Sequence, residues 1–191
     1  MYDGWKHSSK NNRNNQFIGL TELISYLSSH LLTQNNKMIE IGSYMGESTM
    51  MFASSGIFST IFSIEPHTGT EEFNDLFGYD WEVVRKEYET NTRFFDNIIH
   101  IKDFSYNIHN DFDNNSIDFI YIDGGHDYES IKNDLQLYLP KLKKNGIIAG
   151  HDYEPTEWPG VVRAIHEIIG EPDVIFSDSS WIKSYKTNEI I

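Results

Sequence analysis

Residues 117–128 read IDFIYIDGGHDY, and residues 147–153 read IIAGHDY. Ile117–Ile122 is apolar on both faces, as a strand is when helices cover a parallel sheet above and below. It stops at Asp123-Gly124-Gly125. Ile147–Gly150 is a second short apolar run, and it stops at His151-Asp152-Tyr153. Between them, Tyr128–Lys143 carries Ile131, Leu135, Tyr138 and Leu142 on one helical face, with Pro140 kinking or dividing the helix. Strand, helix, strand in this order is a right-handed crossover between parallel neighbours.

The same alternation extends in both directions. Upstream, Phe17–Leu32 has helical spacing, Met38–Ile41 reads as a buried strand, Glu47–Ser54 as a helix and Thr60–Ile64 as a strand. Trp81–Phe95 reads as a helix and Asn97–Ile101 as a third strand. Downstream, Pro159–Ile169 has proline in its first turn and Gly170 just past its end, a helix with both punctuation marks. Val174–Phe176 and Trp181–Tyr185 are joined too closely for a crossover helix, so they pair antiparallel. The expectation is an α/β fold: a doubly wound, mostly parallel sheet of seven strands, the last antiparallel, with helices on both faces. Residues 1–36 form an N-terminal arm and helix covering the site. Residues 37–191 form the main unit of a single globular domain.

Composition narrows the function classes. The chain has 191 residues, 15 basic against 29 acidic, a net charge of -14 and no cysteine. An acidic surface disfavours nucleic acid and anionic lipid. Without cysteine there is no disulfide, thiol nucleophile or thiolate metal site. No stretch approaches the ~20 apolar residues of a membrane span, and the polar start lacks a secretory h-region. The expected location is cytoplasmic, the expected partner a small molecule, and the expected state a monomer or homodimer. Tyr2, Trp5 and His7 make the basic first segment either a frayed end or an arm over a pocket.

In doubly wound sheets, ligands bind outside the carboxyl ends of the strands. The first strand ends in Glu40-Ile41-Gly42-Ser43-Tyr44-Met45-Gly46-Glu47-Ser48. Its glycines permit a tight turn into a helix with free N–H groups. The spacing is not GxGxxG, and flanking acids suit a cationic ligand better than a pyrophosphate. The second strand ends in Glu65, 19 residues beyond Gly46; an acid at that distance accepts hydrogen bonds from ribose hydroxyls. Asp103 and Phe104 follow the third strand and either meet an adenine or start a helix. Asp123, His126, His151 and Asp152 gather at the fourth and fifth strand ends. Carboxylates and imidazoles without thiols suit magnesium, manganese or ferrous iron. Trp158 and Pro159 are placed to touch a substrate. Phe73, Phe77, Tyr79, Trp81, Phe94 and Phe95 form a helical cover on the sheet or an aromatic wall for an acceptor.

The segments MIEIGSYMGEST, FSIEPH and FIYIDGGHDYESIKNDLQLYLPKLKKNGIIAGHDY resemble the class I S-adenosylmethionine-dependent methyltransferases, with their Rossmann-like sheet. More narrowly they resemble the small-molecule O-methyltransferase branch with IDGxHxY and GHDY motifs, over about residues 37–170. The resemblance implies methyl transfer from S-adenosylmethionine to a hydroxyl, on a sugar or saccharide-linked acceptor, with a nitrogen acceptor left open. It implies cofactor contacts from Glu40, Gly42, Ser43, Gly46, Ser48, Glu65, Asp103, Phe104 and Asp123. Asp123, His151 and Asp152 fall where metal-dependent members hold a divalent ion, magnesium or manganese. His151 departs from the usual all-oxygen ligands, which leaves a metal-free mechanism open. His126 falls where relatives carry a catalytic base, with Asp123 beside it. Three rivals stand against this reading: a nucleotide-dependent oxidoreductase, a metal-dependent hydrolase and a non-catalytic S-adenosylmethionine-binding module.

Overall fold

A computed structural model of the chain describes residues 10–31, 35–68 and 80–184. Its elements are α1 (Lys10–His30), β1 (Asn36–Ile41), α2 (Glu47–Ser54), β2 (Phe58–Ile64), α3 (Trp81–Thr92), β3 (Ile98–Ile101) and α4 (Ser105–Ile108). There follow β4 (Ile117–Ile122), α5 (Tyr128–Tyr138), β5 (Leu142–Gly150), α6 (Pro159–Ile169), β6 (Val174–Ile175) and β7 (Trp181–Ser184). The strands form one sheet in the order β3-β2-β1-β4-β5-β7-β6. β1 to β5 pair parallel, and β7 enters antiparallel between β5 and β6. Tyr2, Trp5, His7, Phe73, Phe77 and Tyr79 lie outside the described residues.

Side-chain alternation along β4 divides the core in two. Ile117, Ile120 and Ile122 join Ile131, Leu135, Tyr138, Val161 and Ile165 on the α5–α6 face. Phe119 and Tyr121 join Leu20, Leu23, Leu27 and Phe52 on the α1–α2 face. A strand with an apolar residue on each side of every pleat is stable only when sandwiched in this way.

The largest departures from the expected boundaries are at the start of α1 and at the α5–β5 junction. α1 begins at Lys10 rather than Phe17. Docking of Leu20, Leu23 and Leu27 nucleates the helix, and its polar amino-terminal turns then propagate at little cost. The helix after β4 stops at Tyr138, because Pro140 sits in a following 3₁₀ turn, Leu139–Lys141. β5 therefore starts at Leu142, which pairs with Ile117. Asn145, at φ 64°, lies where the register shifts. Leu142 is buried as expected, but as a strand residue rather than a helical one.

Sheet register lines up the strand ends. Ile41 pairs with Ile64 and with Ile122, and Ile122 pairs with Gly150. The ladder continues one step beyond: Gly42 N–H donates to Ile64 O, Asp123 N–H to Ile41 O, and His151 N–H to Ile122 O. Gly42, Glu65, Asp123 and His151 thus form one row along the carboxyl edge.

Candidate active site

The row begins with the β1–α2 loop. Gly42 has φ +85°, and a Cβ there would lie 2.1 Å from the backbone oxygen of Asp123. Glycine is required because the tips of β1 and β4 touch. Gly46 also has positive φ, and a Cβ on it would meet the Tyr88 ring at 2.9 Å. Glu40 is fully buried. Its carboxyl accepts hydrogen bonds from the Ser48 hydroxyl at 2.6 Å and from the Thr49 hydroxyl, tying the first turn of α2 to β1. Burial pushes its pKa up to about 7, against the hydroxyl hydrogen bonds that pull it down. Ser43 Oγ lies 2.6 Å from Ser63 Oγ, to which Tyr88 also donates.

Glu65 holds the far side of the loop. Its carboxylate accepts from the Tyr44 N–H at 2.9 Å and the His67 N–H at 3.0 Å. His67 Nε2 in turn donates to the Tyr44 carbonyl at 2.9 Å. Burial raises the pKa of Glu65. Two of its roughly four lone pairs are thereby used, leaving acceptor capacity for a ligand hydroxyl. Asp103 takes a local role: its Oδ1 accepts from the Phe104 N–H and from Asn107 Nδ2. Phe104 stacks on Tyr106, with centroids 5.2 Å apart.

At the other end, β4 and β5 deliver the titratable cluster. His126 Nε2 lies 3.0 Å from Asp152 Oδ2. His151 Nδ1 lies 3.0 Å from Asp152 Oδ1 and 4.0 Å from Asp123 Oδ1. On its other side, Nε2 faces Asp178 at 3.7 Å. Asp152 holds a left-handed backbone, φ +61°, which aspartate tolerates better than most residues. Burial alone would push the His151 ring down, but Asp152, Asp178 and Asp123 outweigh it and hold its pKa well above the ordinary value. Burial lowers the pKa of His126 against the opposing charge of Asp152, so this ring is neutral at pH 7. Burial, helped by neighbouring carboxylates, raises that of Asp123 against the pull of His151. Among the described residues, the metal-competent group is Asp123, His126 and Asp152, with one donor atom from each within 4.8 Å of the others. His151 is packed against the same carboxylates from the sheet side.

The sequence reading did not single out Asp178, which the insertion of β7 beside β5 brings to the site. Its carboxylate accepts from the Ser180 N–H and hydroxyl. α1 packs directly on it, since a Cβ on Gly19 would lie 2.1 Å from the Asp178 carboxyl. Trp158 covers His126, with centroids 4.6 Å apart. Beside them lies a cavity of about 430 Å³ reached by His151, Asp152, Trp158, Asp178 and Gln16. No described helix is long and apolar enough to cross a membrane.

The chain is similar to known proteins in sequence and in fold. It is 30% identical over 138 residues to the uncharacterized protein R132 of Acanthamoeba polyphaga mimivirus, covering 70% of this chain and 59% of that one. It is 24% identical to the uncharacterized protein y4gI of Sinorhizobium fredii (strain NBRC 101917 / NGR234) over 63% of this chain and 13% of that one. The chain thus spans less than two thirds of either relative. In fold it is similar to CalS11, a calicheamicin methyltransferase described as a TDP-rhamnose 3'-O-methyltransferase. That match has a TM-score of 0.65 and 16% identity, over 91% of this chain and 80% of the other. The O-methyltransferase NovP matches with a TM-score of 0.64 and 14% identity, over 90% and 80%. Both likenesses are of fold. The methyltransferase-domain family matches residues 39–153, from β1 through the end of the GHDY segment, and the chain belongs to that family.

Proposed function

We propose that the protein transfers a methyl group from S-adenosylmethionine to a hydroxyl of a small-molecule acceptor, a sugar or saccharide-linked group. One juxtaposition carries this reading: the tip of the glycine loop touches the backbone of Asp123, whose side chain belongs to the His126–Asp152 cluster. A donor in the loop and an acceptor reaching Asp152 from the cavity would therefore meet beside Asp123. S-adenosylmethionine supplies an electrophilic methyl on a sulfonium. Burial raises the pKa of Glu65 and of Asp123 at the strand tips, and a cationic donor beside them would favour their charged forms. Gly42, Ser43, Gly46 and Ser48 shape the loop, Glu65 retains acceptor capacity for a ribose, and Asp103 and Phe104 follow β3 where an adenine would end.

The chain's task in methyl transfer is alignment, together with removal of the hydroxyl proton. His126, neutral at pH 7 and 3.0 Å from Asp152, takes that proton, and Asp152 stabilises the imidazolium that forms. Asp123 and Asp152 would hold a magnesium or manganese ion with an imidazole as third ligand; hard oxygen and nitrogen donors fit such an ion. Bound there, the ion would lower the acceptor hydroxyl's pKa. His151 is the ligand expected from sequence. The convergence of Asp123, His126 and Asp152 favours His126 instead as ligand in a second reading.

His126→Ala separates these roles. As a base, His126 is worth about 10²–10⁴ in turnover, with S-adenosylhomocysteine binding intact. A ligand role instead weakens metal affinity in the same variant. Turnover unchanged in His126→Ala would refute both.

A further inference from the structure

The cavity at the β5 exit has a one-sided charge. Asp152, Glu154, Glu157 and Asp178 all line it, and no lysine or arginine does among the described residues. Its one other titratable ring, His151, sits among Asp123, Asp152 and Asp178. The uncharged lining is amide and hydroxyl, from Gln16 and Ser177 among others, with the Trp158 ring as the apolar face. Amides and hydroxyls match a polyol, and an indole face packs against the C–H face of a pyranose. About 430 Å³ falls within the ~300–1,000 Å³ usual for small-molecule sites.

Depth orders these groups. Side chains of Asp152 and His151 are 14% and 12% exposed, whereas Thr156 and Glu157 lie at the exposed rim. Glu154 is fixed there by accepting from the Thr156 and Glu157 N–H groups. A sugar whose reacting hydroxyl reaches Asp152 and His126 would send any substituent out past Glu154 and Glu157. A diphosphate on that path would meet carboxylates.

We propose that the cavity takes its acceptor as a phosphate-free sugar, neutral or amine-bearing, and discriminates against nucleotide-linked sugars. This rests on the methyl-transfer reading and adds the acceptor's class to it.

The test uses the full chain, without added metal for binding and with magnesium for turnover, and three matched acceptor sets: methyl hexosides, methyl aminohexosides and thymidine diphosphate hexosides. Binding is read by saturation-transfer NMR, turnover by S-adenosylhomocysteine release, and cofactor binding by calorimetry on the same preparation. The expected result is that a phosphate-free hexoside binds at least about tenfold more tightly than its nucleotide-linked counterpart. The exposed double variant Glu154→Gln/Glu157→Gln is expected to narrow that gap. Equal or tighter binding of thymidine diphosphate hexosides, no binding of any set, or a gap unchanged in the double variant overturns the inference. Normal S-adenosylhomocysteine binding alongside such a result leaves the methyl-transfer reading standing; loss of that binding overturns the reading itself.

Discussion

Glu40→Gln tests how the cofactor loop is held. Glu40 is fully buried, and its pKa is pushed from 4.5 to about 7. Below pH 4.5 the carboxyl is protonated folded and unfolded, and ionisation costs nothing. Between pH 4.5 and 7 the unfolded chain releases the proton while the folded chain keeps it, so stability falls as pH rises. Above pH 7 the loss is complete. At ~1.36 kcal/mol per unit, the shift amounts to about 3 kcal/mol. Glutamine keeps the shape and can still accept a hydroxyl hydrogen bond, but has no proton to release. Relative to the parent, Glu40→Gln is expected to gain about 3 kcal/mol between pH 4.5 and 8, roughly 6–12 °C in Tm for a chain of this size. Urea unfolding of both proteins across that range reads the difference, because other titrating groups cancel. A stability difference that stays flat with pH, or shrinks as pH rises, refutes the reasoning.

Two further substitutions probe packing and the acceptor. Gly42→Ala puts a methyl 2.1 Å from Asp123 O at φ +85°; it is expected to cost about 3 kcal/mol or more in chemical denaturation, and a loss under 1 kcal/mol would show the β1 and β4 tips are not in contact. Trp158→Ala removes the ring over His126. With aromatic stacking worth about 1 kcal/mol, the acceptor KM is expected to rise several-fold to tenfold while S-adenosylhomocysteine affinity is unchanged.

Local pattern made most of the fold readable. IDFIYI could be placed as a central strand because alternate residues had to enter two cores, and Phe119 and Ile120 do so. The Asp123–His151 adjacency followed from parallel neighbours in register. Other features depend on distant pairing. Asp178 became legible only once β7 was known to insert beside β5. Spacing from Tyr138 places Leu142 on the helix, with Pro140 a kink or a break, and only pairing with Ile117 moves it to β5. Asp103 looked alike as an adenine contact or a local cap; Phe104 takes the N-cap position instead, and Asp103 accepts from the Phe104 N–H and the Asn107 side chain. The converging donors around Asp152 depend on its left-handed backbone, which no residue pattern announces.

The central claim is that the Gly42–Gly46 loop and Glu65 hold the sulfonium donor and its spent thioether. Isothermal titration of the full chain with S-adenosylhomocysteine tests it most directly. The account predicts one saturable site per chain, weakened about tenfold or more in Glu65→Ala as charged hydrogen bonds are lost. No saturable heat up to millimolar ligand, or equal affinity with and without Glu65, would contradict it.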